Sequence, residues 1–153
     1  MKQIKFLTLL LVGLSFISLS SCSNDEDGSQ DARDQYVGTW RSTSSGSLTL
    51  YQNGQSVGTV PINETGTVSI SKSGSNALLI DGTSYIVNGN NLSSNPKPLT
   101  ETSSGVNIVG TEVSNGTLGS NIITLNSAVT GTWNNTNAAS GNLSGSAITT
   151  LTK

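Results

Sequence analysis

Residues 67–71, TVSIS, set hydroxyl-bearing and aliphatic residues in strict alternation. A period of two marks a half-buried β-strand, because successive side chains point to opposite faces of a sheet. Residues 48–51 (LTLY) repeat the pattern on a shorter scale. Further runs of the same character cover 36–43, 57–62, 77–80, 84–88, 106–113, 118–125, 128–134 and 143–152. Nowhere among them do apolar residues recur at helical spacing, so the reading is all-β.

The residues between the runs say how the strands connect. Asn53-Gly54, Asp81-Gly82 and Asn115-Gly116 are the pairs that accept positive φ, which two-residue hairpin turns need. Gly74 and Gly89-Asn90-Asn91 supply similar punctuation. Pro61 has no N–H for a ladder, so it marks an edge or a bulge in its run. Residues 93–105, SSNPKPLTETSSG, read as the one long loop. Nine or ten short strands with local turns predict an antiparallel meander within a single domain, residues 35–153. Closing that meander into a barrel removes the exposed edges that a Ser/Thr-rich sheet otherwise presents.

The chain ahead of this domain carries an address. Lys2 and Lys5 precede an uncharged run, residues 6–19, FLTLLLVGLSFISL. Its 14 residues span about 21 Å as a helix, at roughly 1.5 Å per residue. That is short of the roughly 30 Å hydrocarbon core, so residues 1–21 read as a cleaved signal peptide rather than a membrane span. Leu19, Ser20, Ser21 and Cys22 resemble the bacterial lipobox, in which the cysteine takes a diacylglyceryl thioether and becomes the mature N-terminus. The resemblance implies a lipid anchor at Cys22 in the outer membrane, facing the periplasm or the cell surface. Cys22 is the only cysteine, so no intramolecular disulfide forms.

Residues 22–34 then read as a lipidated N-terminus followed by an acidic tether. Asp25, Glu26, Asp27, Asp31 and Asp34 stand against Arg33, with Ala32 the sole apolar residue between 23 and 34. Such a segment cannot bury enough surface to fold, and its charges extend it. Acidic runs placed soon after a lipidated cysteine also resemble the surface-export signal of Bacteroidetes-type outer-membrane lipoproteins. Past the tether, Glu64, Asp81, Glu101 and Glu112 balance Arg41, Lys72, Lys97 and Lys153. A neutral domain with charges dispersed along the chain offers no basic stripe for nucleic acid and no electrostatic hold on anionic lipid.

Gln35-Tyr36-Val37-Gly38-Thr39-Trp40 opens the folded part, and its G-x-W resembles the first-strand signature of lipocalins. The closing GNLSGSAITTLTK is similar in style to small lipocalin-like (calycin-like) lipoproteins of Bacteroidetes. The resemblance implies an antiparallel up-and-down barrel of about eight strands, with Trp40 plugging the closed end. Lipocalins usually lay an arginine from the last strand over this tryptophan. No arginine follows Arg41, which leaves Lys153 to cover the ring by a cation–π contact. A second G-x-W, Gly131-Thr132-Trp133, has different flanks and reads as coincidence, with Trp133 a large core residue.

The inventory of reactive groups is short. The chain has no histidine, which removes the commonest general base, the usual catalytic triads and most zinc sites. No Asp-rich calcium loop and no glycine-rich phosphate cradle is present. Glu101 and Glu112 are the pair that a glycosidase-like reading would use, and such a reading requires at least two carboxylates in one cleft. The expectation is a non-catalytic domain without cofactor or metal. An eight-stranded barrel is wide enough either to be filled by its own side chains or to hold one small ligand. If it holds one, Tyr51, Tyr85, Trp40 and Trp133 are the large side chains available to line the site. Two functions remain: a module binding a small apolar or amphipathic molecule, and a structural lipoprotein whose outer face binds a protein or glycan.

Overall fold

The computed structural model describes residues 31–103, 105–135 and 139–153. The signal peptide and the lipobox residues Leu19, Ser20, Ser21 and Cys22 lie outside the described residues.

Among the described residues, a single turn of 3₁₀ helix, Asp34–Tyr36, leads into nine antiparallel strands. They are β1 (Gly38–Gln52), β2 (Gln55–Ser73), β3 (Ala77–Ile80), β4 (Thr83–Asn88), β5 (Asn91–Ser94), β6 (Lys97–Ser103), β7 (Val106–Leu118), β8 (Ile122–Asn135) and β9 (Ser140–Thr152). Each strand pairs with its neighbour in sequence except β5, which skips β6 to pair with β7, and β9 returns to pair with β1. Eight strands thereby close a ring, β1-β2-β3-β4-β5-β7-β8-β9, in the predicted up-and-down order. The ninth, β6, is an extra strand on the upper half of β7, above the point where β5 pairs.

Several predicted runs prove to be halves of longer strands. Residues 36–43 and 48–51 join in β1, and 57–62 and 67–71 join in β2. Asn53-Gly54 and Asp81-Gly82 form the expected hairpin turns, with φ of 52° and 79° in the first and 46° and 77° in the second. Asn115-Gly116 does not. It lies inside β7, opposite Asn126 and Leu125 of β8. Gly116 answers to a close approach of strands, since a Cβ there would collide with the Thr124 carbonyl. The loop predicted at 93–105 contains β6, whose Pro98 is tolerated because, among the described residues, the strand pairs with β7 alone.

Two apolar clusters fill the ring, one towards each end. The lower cluster surrounds Trp40, which is fully buried, with Ile70, Leu78, Ile80, Tyr85, Ile123 and Leu151. The 3₁₀ turn closes this end, and the Trp40 indole N–H donates to the Tyr36 carbonyl at 2.8 Å. The Lys153 Nζ lies 5.6 Å from the centroid of the Trp40 ring and donates to the Gln35 carbonyl at 2.8 Å. The predicted cation–π cover is in place. The upper cluster is Leu48, Ile108, Val129, Trp133 and Leu143. There the Trp133 indole N–H donates to the Tyr51 carbonyl at 3.2 Å.

The segment read as a tether reaches the barrel before residue 35. Arg33 forms a two-pronged ion pair with Asp31 (2.7 and 3.0 Å) and donates to the Ala77 carbonyl at 2.9 Å. Lys72 on β2 pairs with both Asp31 and Asp34. Asp31 and Asp34, two of the acids expected to repel one another in an extended chain, are thus held by two cations at the foot of the ring.

Candidate functional site

Between the two apolar clusters the inward positions carry small residues. The register aligns them in a belt across five strands. Gly66 of β2 faces Ser42 of β1, Ser44 of β1 faces Thr149 of β9, and Ala147 of β9 faces Ser127 of β8, which faces Ser114 of β7. Interiors elsewhere pack to near-crystalline density, so a ring of small side chains leaves volume unfilled. A Cβ built on Gly66 meets nothing within 4 Å.

The unfilled volume forms two spaces, both open to solvent. The upper one is about 220 Å³ and the lower about 460 Å³, and Ser44, Glu64 and Thr149 border both. For scale, a dry engineered cavity of about 150 Å³ takes up benzene. The lining of the upper space is mixed: aliphatic Leu48, Ile62, Leu99, Ile108 and Val129 alternate with polar Glu64, Glu101, Glu112, Ser127 and Thr149, and Glu101 stands directly across from Ile108. The lower space adds Ser42, Asp81, Tyr85 and Lys97.

Charges dispersed along the sequence are gathered here by the fold. Glu64, Asp81, Glu101 and Glu112, every carboxylate between residues 35 and 153, border these two spaces. Of the cations in the same span, only Lys97 lines them. Lys97 sits 3.8 Å from Glu112, its direct cross-strand partner. The domain is neutral in sum and strongly acidic on this one side.

Part of the polar lining is fixed by hydrogen bonds. The buried Ser114 hydroxyl donates to Glu112 at 3.2 Å and lies 2.7 Å from the Ser127 hydroxyl. With its one proton given to Glu112, Ser114 accepts from Ser127. The Ser94 hydroxyl accepts from the Ser114 N–H at 3.0 Å, which ties β5 to β7 beside the site. Ser44 and Thr149 share a hydrogen bond of 2.7 Å. Burial pushes the Tyr85 hydroxyl above its ordinary pKa; the neighbouring Ser114 hydroxyl partly offsets this and the Glu112 charge adds to it. Tyr85 therefore stays a neutral donor across the physiological range.

Of the four aromatic residues expected to line a site, Tyr85 alone borders one of the two spaces. Trp40 and Trp133 pack at opposite ends of the ring, and Tyr51 lends its carbonyl to Trp133. The residues that make the pocket are instead small or acidic. Their signal in the sequence was a hydroxyl or glycine at alternate positions of long strands, which reads as composition until the register is known.

Chemically, the carboxylates of this lining accept hydrogen bonds and balance positive charge. Three carboxylates on one pocket meet the spatial condition set for an acid–base reading. Among the described residues no three His, Cys, Asp or Glu side chains gather closely enough to hold a metal ion. These features define a class: a small antiparallel barrel with a mixed aliphatic and acidic pocket at its waist. In comparisons with protein-family models, curated proteins and solved structures, nothing matches this chain.

Proposed function

We propose that this protein is a lipid-anchored, lipocalin-like lipoprotein of the Bacteroidetes type. In this reading Cys22 tethers it to the outer membrane, and the waist pocket holds a small amphipathic molecule without transforming it. The observation that carries the binding half is one pocket lined by both aliphatic side chains and carboxylates. An apolar body lies against Ile62, Leu99 and Ile108, while a polar end bearing donors or a positive charge meets Glu64 and Glu101. Glu64 and Glu101 are exposed, so they select the polar end by charge complementarity and not by desolvation. A second reading, a protein or glycan partner on the outer face, is favoured by the exposed aliphatics Val109, Val113 and Ile148.

The test uses the full chain carrying Cys22→Ser. Native mass spectrometry after exposure to lipid and metabolite extracts is expected to show an adduct of small mass. Titration with benzylamine, followed by amide NMR, is expected to move the signals of Ile62, Glu64 and Leu99, and to do so at lower concentration than benzoate does. Bare protein in the first experiment and no shift in the second overturn the binding reading. Chemical conversion of the bound molecule overturns the non-catalytic one.

A further inference from the structure

We propose that molecules enter and leave the waist pocket sideways, through the wall between β2 and β6, and not through either end of the barrel. The inference rests on the binding reading above and concerns the route to that same site.

The pairing of strands leaves a gap in this wall. β3 covers the edge of β2 only from Ile70 to Ser73. One further bond, the Asp81 N–H to the Ser69 carbonyl at 3.1 Å, closes the corner just below the gap. Above it, among the described residues, the β2 edge from Gln55 to Val68 has no strand partner. Among the same described residues, β6 pairs with β7 on one side and with no strand on the other. Unpaired N–H and C=O groups along two facing edges are costly unless water reaches them, so the seam is a wet one.

The seam also resists zipping shut. Pro61 on one edge and Pro98 on the other lack the N–H that a ladder would use. Glu64 and Glu101 border the same space from β2 and β6, so drawing the edges together brings like charges closer. Behind the lip, Gly66 leaves open space where any side chain would project. The ends offer no comparable opening among the described residues. Trp40 with the 3₁₀ turn and Lys153 seals one, and Trp133 with Leu48 and Leu143 fills the other.

Two changes block the seam in different ways, both made in the full chain with Cys22→Ser. Gly66→Trp places an indole in the mouth. Asn63→Cys with Thr100→Cys, joined by a short bismaleimide, bridges the two edges from outside the pocket. Benzylamine is the probe, and its exchange with the folded protein is read from NMR line shapes. Either block is expected to slow exchange or weaken binding by at least about tenfold, equivalent to about 1.4 kcal/mol. The uncrosslinked double variant is expected to behave as the parent does. Folded blocked proteins that exchange the probe at the parent rate overturn the side entrance and leave the pocket intact. No probe binding to the parent overturns the pocket reading, and the entrance with it.

Discussion

Lys153, the last residue of the chain, lies over Trp40, the third residue of the first strand, with Nζ 5.6 Å from the ring centroid. The same ammonium donates to the Gln35 carbonyl, so one side chain fastens the 3₁₀ turn, the first strand and the end of the last. Lys153→Ala is expected to destabilise the fold by about 0.5–1 kcal/mol, the usual worth of an exposed cation–π contact. Lys153→Arg, which keeps the cation over the ring, is expected to restore most of that. Urea denaturation monitored by tryptophan fluorescence measures both. Equal stability of all three proteins removes the role assigned to Lys153.

The clamp at the foot of the barrel has a defined pH dependence. Hydrogen bonds from the Arg33 side chain and N–H, with Lys72 nearby, hold the Asp31 carboxyl well below its ordinary value of 3.8. A group whose folded pKa is depressed contributes stability that is complete above the unfolded value and is lost as pH falls through the folded one. The Asp31 contribution is therefore constant from pH 7 down to the ordinary aspartate range and fades only in stronger acid. Asp31→Asn is expected to lower stability at neutral pH, and the difference from the parent is expected to vanish in strong acid. Denaturation curves across that range decide it; a difference independent of pH removes the ion pair as its cause.

Gly131 faces Gly110 across β8 and β7, and a Cβ on Gly131 would collide with the Val109 carbonyl and the Gly110 Cα. Backbone atoms cannot yield as side chains do. Gly131→Ala is expected to cost about 1–3 kcal/mol, the range for overpacked sites. Gly58→Ala, where the new methyl meets nothing within 4 Å, serves as the contrast. Thermal melts of the two variants are expected to differ by several degrees, with Gly131→Ala the lower. Indistinguishable melts contradict the close approach.

Cys22→Ala is expected to release the protein from the membrane fraction while leaving its β-sheet circular dichroism unchanged. Two or more acyl chains give stable anchoring where a single myristoyl chain gives only marginal binding. Retention of the variant in washed membranes overturns the lipobox reading.

Local chemistry made parts of this fold legible before any packing was known. Asn53-Gly54 and Asp81-Gly82 turn the chain because positive φ is cheap for those residues. The G-x-W at Gly38-Thr39-Trp40 led to a buried plug and a lysine over it, both of which are present. Asn115-Gly116 misled because the same dipeptide serves a second purpose, letting β7 approach β8. β6 was hidden by Pro96 and Pro98, which suit a loop equally well as an edge strand. The site was the least visible part. Large aromatic residues drew attention as ligand-lining candidates, whereas the pocket comes from small residues that fail to fill the waist.

By itself, then, the sequence determined the strand periodicity, two of the hairpin turns and the all-β up-and-down plan. These rest on properties of neighbouring residues: alternation and positive φ. Only the tertiary structure decided that Glu64, Asp81, Glu101 and Glu112 border the two waist spaces, that among the described residues the β2 and β6 edges beside them lack strand partners, and that Ser42, Ser44 and Gly66 line the same waist. The physical reason is register. A shift of one residue reverses which face every side chain of a strand presents, and register is set by contacts between residues far apart in the chain.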